Sequence, residues 1–207
     1  MKKIMFNDKF SLTQAVLEGR KTMTRRIVTY PLKFRGVNVA GYFVCKRPSG
    51  EVTEICMYDE DERMIDGGQI LPKYKVGEVV AIAQSYKDCG NMPDFGLDED
   101  GYPIMPKRSG FFNKMLVKAD LMPHHIRITE VKVERLQDIS IEDCLKEGIE
   151  EHLKGIQYGF PSNIGYIGQY PFSNPREAFS ALIDKVSGKG MFASNPYVFA
   201  YEFELID

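Results

Sequence analysis

The sequence has no tryptophan, and only three histidines and four cysteines among its 207 residues. It also lacks a basic excess, since 27 lysines and arginines against 29 aspartates and glutamates give a formal net charge of −2. Proteins that coat long nucleic acids through the phosphates usually carry a clear positive charge, so this function class is disfavoured. No apolar run approaches the roughly 18 residues of a membrane span, which predicts no membrane partner.

Cofactor motifs are missing as well. The sequence has no Walker loop, GxGxxG element or GxSxG element, and the Gly-Lys-Gly run at 188–190 is too short for a phosphate loop and predicts a turn. His124 and His125 are adjacent on a predicted strand, where successive side chains point to opposite faces, so they cannot easily share a metal ion. With His152 as the only other histidine, we predict no metal and no other cofactor.

The cysteines show no CxxC spacing, which predicts reduced thiols in a cytoplasmic protein. The chain opens on Met-Lys-Lys-Ile without a basic segment followed by an apolar one, and we expect a cytoplasmic location on this ground too. Cys45 and Cys56 lie on the two arms of a predicted hairpin, so a disulfide between them is the alternative.

Hydrophobic periodicity predicts more strands than helices, without one-for-one alternation. The predicted strands cover residues 22–28, 42–46, 52–57, 79–83, 126–134 and 197–205, and the predicted helices cover 10–17, 140–147 and 175–183. This pattern favours an α+β fold, with a mixed, largely antiparallel sheet or small barrel and a few covering helices. We predict one domain over 1–207.

Turn and cap residues define the predicted boundaries. Gly19 suits a helix C-terminus, Ser140 an N-cap, and Asn174 an N-cap followed by Pro175 at the first helical position. Residues 48–50 (Pro-Ser-Gly) predict the hairpin turn. An acidic loop is predicted over 59–66 and a long ordered loop over 87–122.

The segment Gly-Arg-Lys-Thr at 19–22, followed by Thr24 and Arg26, resembles the signature of the ASCH family. In that family a helix ends at Gly-Arg-Lys-Thr and a strand of the form Thr-x-Arg begins. Further similarities follow in the family's order, at residues 75–80, 127–140, 147–148 and 195–203. The resemblance implies a PUA-like β-barrel, closest to the longer phage and bacterial members, with insertions near 40–70, 87–122 and 150–172.

The same resemblance implies a catalytic site. Small bacterial ASCH proteins are amidohydrolases that remove the acetyl group of N(4)-acetylcytidine with a Lys-Thr-Glu trio, whose members fall on Lys21, Thr24 and Glu147. A lysine whose pKa is lowered by burial can take the proton of a threonine nucleophile, and a carboxylate can orient the lysine or act as an acid. Alternatively, Lys21 complements a helix dipole, Thr24 is an ordinary strand residue and Glu147 is a solvated helix end.

Substrate binding is assigned to Arg20, Arg25, Arg26 and Gln84. The arginines form a basic cluster that suits a phosphate or a base edge, or alternatively a solvated strand end. Gln84 stands where longer ASCH members carry a strand with tryptophan and an Arg-Glu pair. The aromatic residues of the last insertion either stack on a base or, as we favour, pack their loop onto the fold: Tyr158, Phe160, Tyr166, Tyr170 and Phe172.

Two function hypotheses follow. The first is an ASCH-type protein that binds a modified nucleoside or RNA base in the barrel cleft and hydrolyses the amide of N(4)-acetylcytidine. The alternative is a non-catalytic RNA-binding or regulatory module, which the PUA likeness suggests. The enzyme needs Lys21, Thr24 and Glu147 within hydrogen-bond reach around a closed pocket, whereas the binding module needs an open, basic, aromatic-edged groove with affinity that falls steeply with salt.

Overall fold

A computed structural model of the protein describes residues 1–46, 52–90, 96–104, 111–161 and 171–207. Its strands are β1 (Lys3–Ile4), β2 (Met23–Ile27), β3 (Lys33–Phe34), β4 (Val37–Asn38), β5 (Gly41–Lys46), β6 (Val52–Tyr58), β7 (Met64–Ile70), β8 (Val79–Ile82), β9 (His125–Arg135), β10 (Glu150–His152), β11 (Gln157–Gly159) and β12 (Tyr197–Leu205). Its α-helices are α1 (Leu12–Leu17), α2 (Tyr86–Cys89), α3 (Ile141–Lys146), α4 (Pro175–Ser187) and α5 (Met191–Ser194). The fold is therefore α+β with mostly antiparallel sheets and a few helices, as predicted. In the described part of the chain, no helix is both long enough and apolar enough to cross a membrane.

The largest sheet has five strands in the order β1-β8-β9-β12-β2. β1 pairs with β8 in parallel, and the other neighbours are antiparallel. The four longer strands of this sheet were all predicted, β2 and β9 from alternation and β8 from a continuous apolar run, but β1 is only two residues long and shows no periodicity. Its edge strands are β1 and β2, so the Thr-x-Arg motif lies at a sheet edge.

The second sheet is the antiparallel meander β5-β6-β7, whose central strand β6 lies against β9. The predicted hairpin is confirmed as β5 and β6, while its predicted turn at 48–50 lies outside the described residues. The predicted acidic loop over 59–66 is wrong in its last three residues, because β7 begins at Met64. Asp66, Gly67 and Gly68 disfavour a strand locally, so β7 depends on its pairing with β6 rather than on propensity.

The main apolar core joins the strands to the buried faces of α1 and α4. Helix α4 contributes Ala178, Phe179, Leu182 and Ile183, whose spacing places them on one helix face. This helix begins as predicted, since the side chain of Asn174 accepts a hydrogen bond from the N–H of Glu177 at 2.9 Å. Residues of α4 and of β2 line one cavity, so this helix helps to enclose the region next to the Thr-x-Arg motif.

Cys45 and Cys56 form a disulfide between β5 and β6, with their Cα atoms 6.0 Å apart. The prediction of reduced thiols is therefore wrong for this pair, whereas Cys89 and Cys144 are free. In the register of the hairpin Cys45 faces Glu54 and Cys56 faces Phe43, so the two sulfurs meet across a diagonal. A Cα separation of this size lies within the range that a disulfide spans without backbone movement.

We expect reduction with dithiothreitol to lower the free energy of unfolding by about 2–3 kcal/mol, because the disulfide closes a short loop in the unfolded chain. Urea unfolding with and without the reductant measures this. The variant Cys45→Ser should be insensitive to the reductant, while Cys89→Ser should respond like the wild type. Equal stability of the wild type under both conditions would contradict the prediction.

Candidate functional site

A tight helix-to-strand turn places Lys21 inside the protein. Gly19 has φ = 71°, a conformation that favours glycine, and the N–H groups of Arg20 and Lys21 both donate to the carbonyl of Ala15 at 2.9 Å. The turn directs the Lys21 side chain inward, where the residue is only 2% exposed. The Gly-Arg-Lys segment thus serves to bury an amine, which is unusual for a lysine.

Buried Lys21 is paired with Glu147, the C-cap residue of α3. Its Nζ donates to Glu147 Oε2 at 2.6 Å and to the Glu147 carbonyl at 2.7 Å. Gly148, with φ = 95°, follows at once, and a Cβ there would lie 3.6 Å from the Lys21 side chain and 3.4 Å from Leu12. These are ordinary contact distances, so the positive φ and not a lack of space favours glycine at 148, and the Glu-Gly pair provides the carboxylate at a tight turn.

Burial lowers the pKa of Lys21 below its ordinary value of 10.5. The charge and hydrogen bond of Glu147 oppose this shift, and the positive charges of Arg26 and Arg25 add to it. The amine is thus easier to deprotonate than a surface lysine, a property of lysines that act as bases.

Arg25 holds the other oxygen of Glu147. Its Nη1 donates to Glu147 Oε1 at 3.2 Å and its Nη2 to Asp143 Oδ2 at 2.7 Å, while Nε donates to Glu134 Oε1 at 2.7 Å. Contacts of Nη2 with Glu134 at 2.6 Å and of Nη1 with Met23 Sδ at 3.2 Å use its remaining N–H groups. All five donors of this guanidinium are occupied, so Arg25 orders the carboxylates and has none left for a phosphate.

Thr24 lines the same cavity as Lys21 and Glu147. The cavity has a volume of about 350 Å³ and lies between β2, the segment before α1 and helix α4. Thr24 is 5% exposed, and among the described residues no side chain or backbone group hydrogen-bonds its hydroxyl. The three residues of the predicted trio therefore share one cavity, but in the described part of the chain Lys21 Nζ bonds to Glu147 and not to the Thr24 hydroxyl.

No family model, curated protein or solved structure that was compared with this chain matches it.

Arg26 and Phe6 form another part of the cavity wall. One guanidinium nitrogen of Arg26 donates to the carbonyl of Met5 at 2.6 Å, whereas its buried Nε has no partner. The Arg26 Cζ lies 5.6 Å and the Lys21 Nζ 6.0 Å from the Phe6 ring centroid. Arg26 thus supplies a cation with an unused donor, and Phe6 supplies an aromatic face.

Two predicted binding residues lie elsewhere. Arg20 is on the surface, where it pairs with Glu18 at 2.5 Å and Glu150 at 2.7 Å. Gln84 is buried and lines a separate cleft. The structure thus brings together Lys21, Thr24, Glu147, Arg25 and Arg26, and leaves Arg20 and Gln84 outside their cavity.

Sequence reasoning missed two of the three carboxylates that surround Arg25, namely Glu134 and Asp143. Asp143 and Glu147 are four residues apart, so they share one side of α3 and its C-terminus. Lys132 and Glu134 alternate on β9 and also join the cluster, with Lys132 Nζ 3.2 Å from Asp143 Oδ2. These i+4 and i+2 spacings were visible signals, but nothing in the sequence showed that they converge on Arg25.

The described aromatic residues of the last insertion pack inward. Phe160 is buried, with its ring centroid 5.7 Å from that of Phe10 and 6.2 Å from that of Phe172. Tyr158 is partly buried against the same core. Tyr166 and Tyr170 lie outside the described residues. Within the described ranges, no group of three or more His, Cys, Asp or Glu side chains is arranged to hold a metal ion.

Proposed function

We propose that this protein is an ASCH-type amidohydrolase that binds a modified nucleoside or RNA base and removes the acetyl group of N(4)-acetylcytidine. The observation that carries the proposal is the buried Lys21–Glu147 pair in the wall of a cavity that also holds the unpaired hydroxyl of Thr24. We further propose that the sheets form the PUA-like barrel of that family, with the β5-β6-β7 meander packed against β9 as part of its wall.

In the proposed first step, neutral Lys21 takes the proton of the Thr24 hydroxyl as its oxygen forms a bond with the acetyl carbon. The bond between that carbon and N4 then breaks, and the proton moves from the lysine to N4, which releases cytidine. This leaves an acetyl ester on Thr24 and a neutral lysine. The lowered pKa of Lys21 supports this role, because only the deprotonated amine can act as a base.

In the second step, Lys21 takes a proton from a water molecule whose oxygen bonds to the ester carbon. The ester bond breaks, Thr24 regains its proton from Lys21, and acetic acid leaves. Glu147 orients the amine through its 2.6 Å hydrogen bond and stabilises the ammonium form that appears in both steps. Arg26 lines this cavity and its buried Nε–H has no partner, so a small rotation of the guanidinium would offer that donor to the carbonyl oxygen as it gains negative charge.

The alternative is a non-catalytic RNA-binding module in the cytoplasm. It requires a free basic groove, but Arg20 is paired with carboxylates and Arg25 has no donor left. This pairing favours the enzyme over the binding module. Failure of the enzyme assay together with RNA affinity that falls steeply with salt would reverse that preference.

We expect the purified protein to convert N(4)-acetylcytidine into cytidine and acetate, as followed by chromatography. Thr24→Val keeps the shape of the side chain but removes the nucleophile, so turnover should fall at least about 1,000-fold. Thr22→Val is the matched control, since Thr22 lies two residues away and does not line the cavity. No turnover by the wild type, or equal turnover by Thr24→Val, would contradict the proposal.

A further inference from the structure

A second cleft, of about 560 Å³, shares no lining residue with the Lys21 cavity. The residues that line it include two carboxylates, Asp8 and Asp88, and no lysine or arginine among those described. Asp8 is already paired with Lys114 at 2.7 Å, so Asp88 is the main source of negative charge. This lining disfavours anionic ligands and favours neutral or cationic ones.

Gln84 is the unusual residue of this cleft. It is 6% exposed, and its side-chain Oε1 is buried without any hydrogen-bond partner. Its backbone N–H points to Met122 Sδ at 3.3 Å, but no described residue bonds its carboxamide. A buried polar group in this state costs about 1–3 kcal/mol, and a rotation of the Gln84 side chain that turns its oxygen to a donor in the cleft would remove this cost.

Neighbouring groups also present hydrogen-bond acceptors. Asp88 uses Oδ2 to accept from the Ser85 hydroxyl at 2.5 Å, which leaves Oδ1 available. The Nδ1 of His124 lies 3.2 Å from the Asp207 carbonyl, which can only accept, so Nδ1 is the donor of that contact and Nε2 is the ring nitrogen left for a ligand. A ligand that matches this cleft must therefore present several N–H donors.

We propose that this cleft is a binding site for a small amidinium or guanidinium compound. The planar cation would donate paired N–H groups to the Gln84 carboxamide oxygen and to the Asp88 carboxylate, a geometry that amidinium and guanidinium groups share. The site does not depend on the proposed amidohydrolase activity, because the two cavities have no residue in common.

The test uses three probes of the same shape: benzamidine, which is cationic, benzamide, which is neutral, and benzoate, which is anionic. Their binding to the full chain is measured by calorimetry and by changes in the NMR spectrum of the protein. We expect benzamidine to bind at least about tenfold more tightly than benzamide, which corresponds to about 1.4 kcal/mol, and benzoate to show no binding. Preferred binding of benzoate, or no binding of benzamidine at millimolar concentration, would overturn the proposal.

Variants of Gln84 and Asp88 show whether these side chains bind the ligand or only support the fold. Gln84→Leu should weaken benzamidine at least about tenfold while leaving stability unchanged or higher, because it removes an unpaired buried group. Asp88→Asn should weaken benzamidine but not benzamide. Gln69→Leu, at an exposed position on β7, is the control and should bind like the wild type. Unchanged benzamidine affinity in Gln84→Leu would refute the site.

Discussion

Replacing Lys21 by arginine is expected to reduce kcat for the hydrolysis of N(4)-acetylcytidine by about 10²–10⁴-fold. The positive charge next to Glu147 remains in this variant, but a guanidinium does not lose its proton and so cannot serve as a base. Lys21→Met, which removes both charge and base, should be equally inactive. Steady-state assays of purified variants measure the loss.

Two controls make the Lys21 result specific. Lys189→Arg, at an exposed position between two glycines, should keep full activity. Circular dichroism of Lys21→Arg should match the wild type, which would show that the loss is chemical. Activity of Lys21→Arg within tenfold of the wild type would rule out Lys21 as the base.

The pH dependence of kcat/KM is a second test of Lys21 as the base. Since the deprotonated amine is the active form, kcat/KM should rise with pH and level off above the pKa of Lys21, with a midpoint below 10.5. The pH dependence of stability follows from the same lowered pKa. Between that value and 10.5 the unfolded chain keeps a proton on Lys21 that the folded protein has lost, so the contribution of Lys21 to the free energy of unfolding increases with pH. Glu147→Gln removes the interaction that raises the pKa of Lys21, so its midpoint should move to lower pH.

Much of the fold was predictable because its long elements carry strong local signals. β9 alternates cleanly, β12 is rich in aromatic and other apolar residues, and α4 has Asn174 and Pro175 at its start, so each was predicted close to its observed bounds. β7 was missed because its glycines conceal the alternation. The other missed strands, β1, β3, β4, β10 and β11, have two or three residues each, so long-range pairing and not local sequence defines them.

The candidate site was predictable only through its motif. The turn at Gly19 predicted that Lys21 follows a helix end, but its burial and its contact with Glu147, 126 positions away, are tertiary facts. The same holds for Arg25: the sequence showed three arginines in a basic cluster, and could not show that one of them is enclosed by carboxylates from β9 and α3. Charge pairing across such distances leaves no local signal.

Removal of Arg25 is expected to cause the largest loss of stability of any single substitution considered. Arg25 and its partners form a buried cluster in which Lys21, Arg25 and Lys132 balance three carboxylates: Glu134, Asp143 and Glu147. Arg25→Met leaves those carboxylates with too little positive charge in a region shielded from water. Breaking a buried pair in this way costs about 3–5 kcal/mol, measured as a lower midpoint in urea at an unchanged slope.

The comparison with a surface arginine decides whether burial is the cause. Arg127 pairs with Glu204 at 3.0 Å, but both side chains are about half exposed, so Arg127→Met should change stability by at most about 1 kcal/mol.

The difference in stability between wild type and Arg25→Met should also shrink in acid. Burial opposes ionisation of Asp143, yet hydrogen bonds from Arg25 and Lys132 outweigh it and hold its pKa below the ordinary 3.8. The stabilisation from ionised Asp143 is present above pH 3.8 and is lost as pH falls through its lowered pKa. Arg25→Met lacks the Arg25–Asp143 pair at every pH, so acid destabilises the wild type more than this variant. A loss in Arg25→Met that equals that of Arg127→Met, or that does not change with pH, would show that the cluster is not held by its charges.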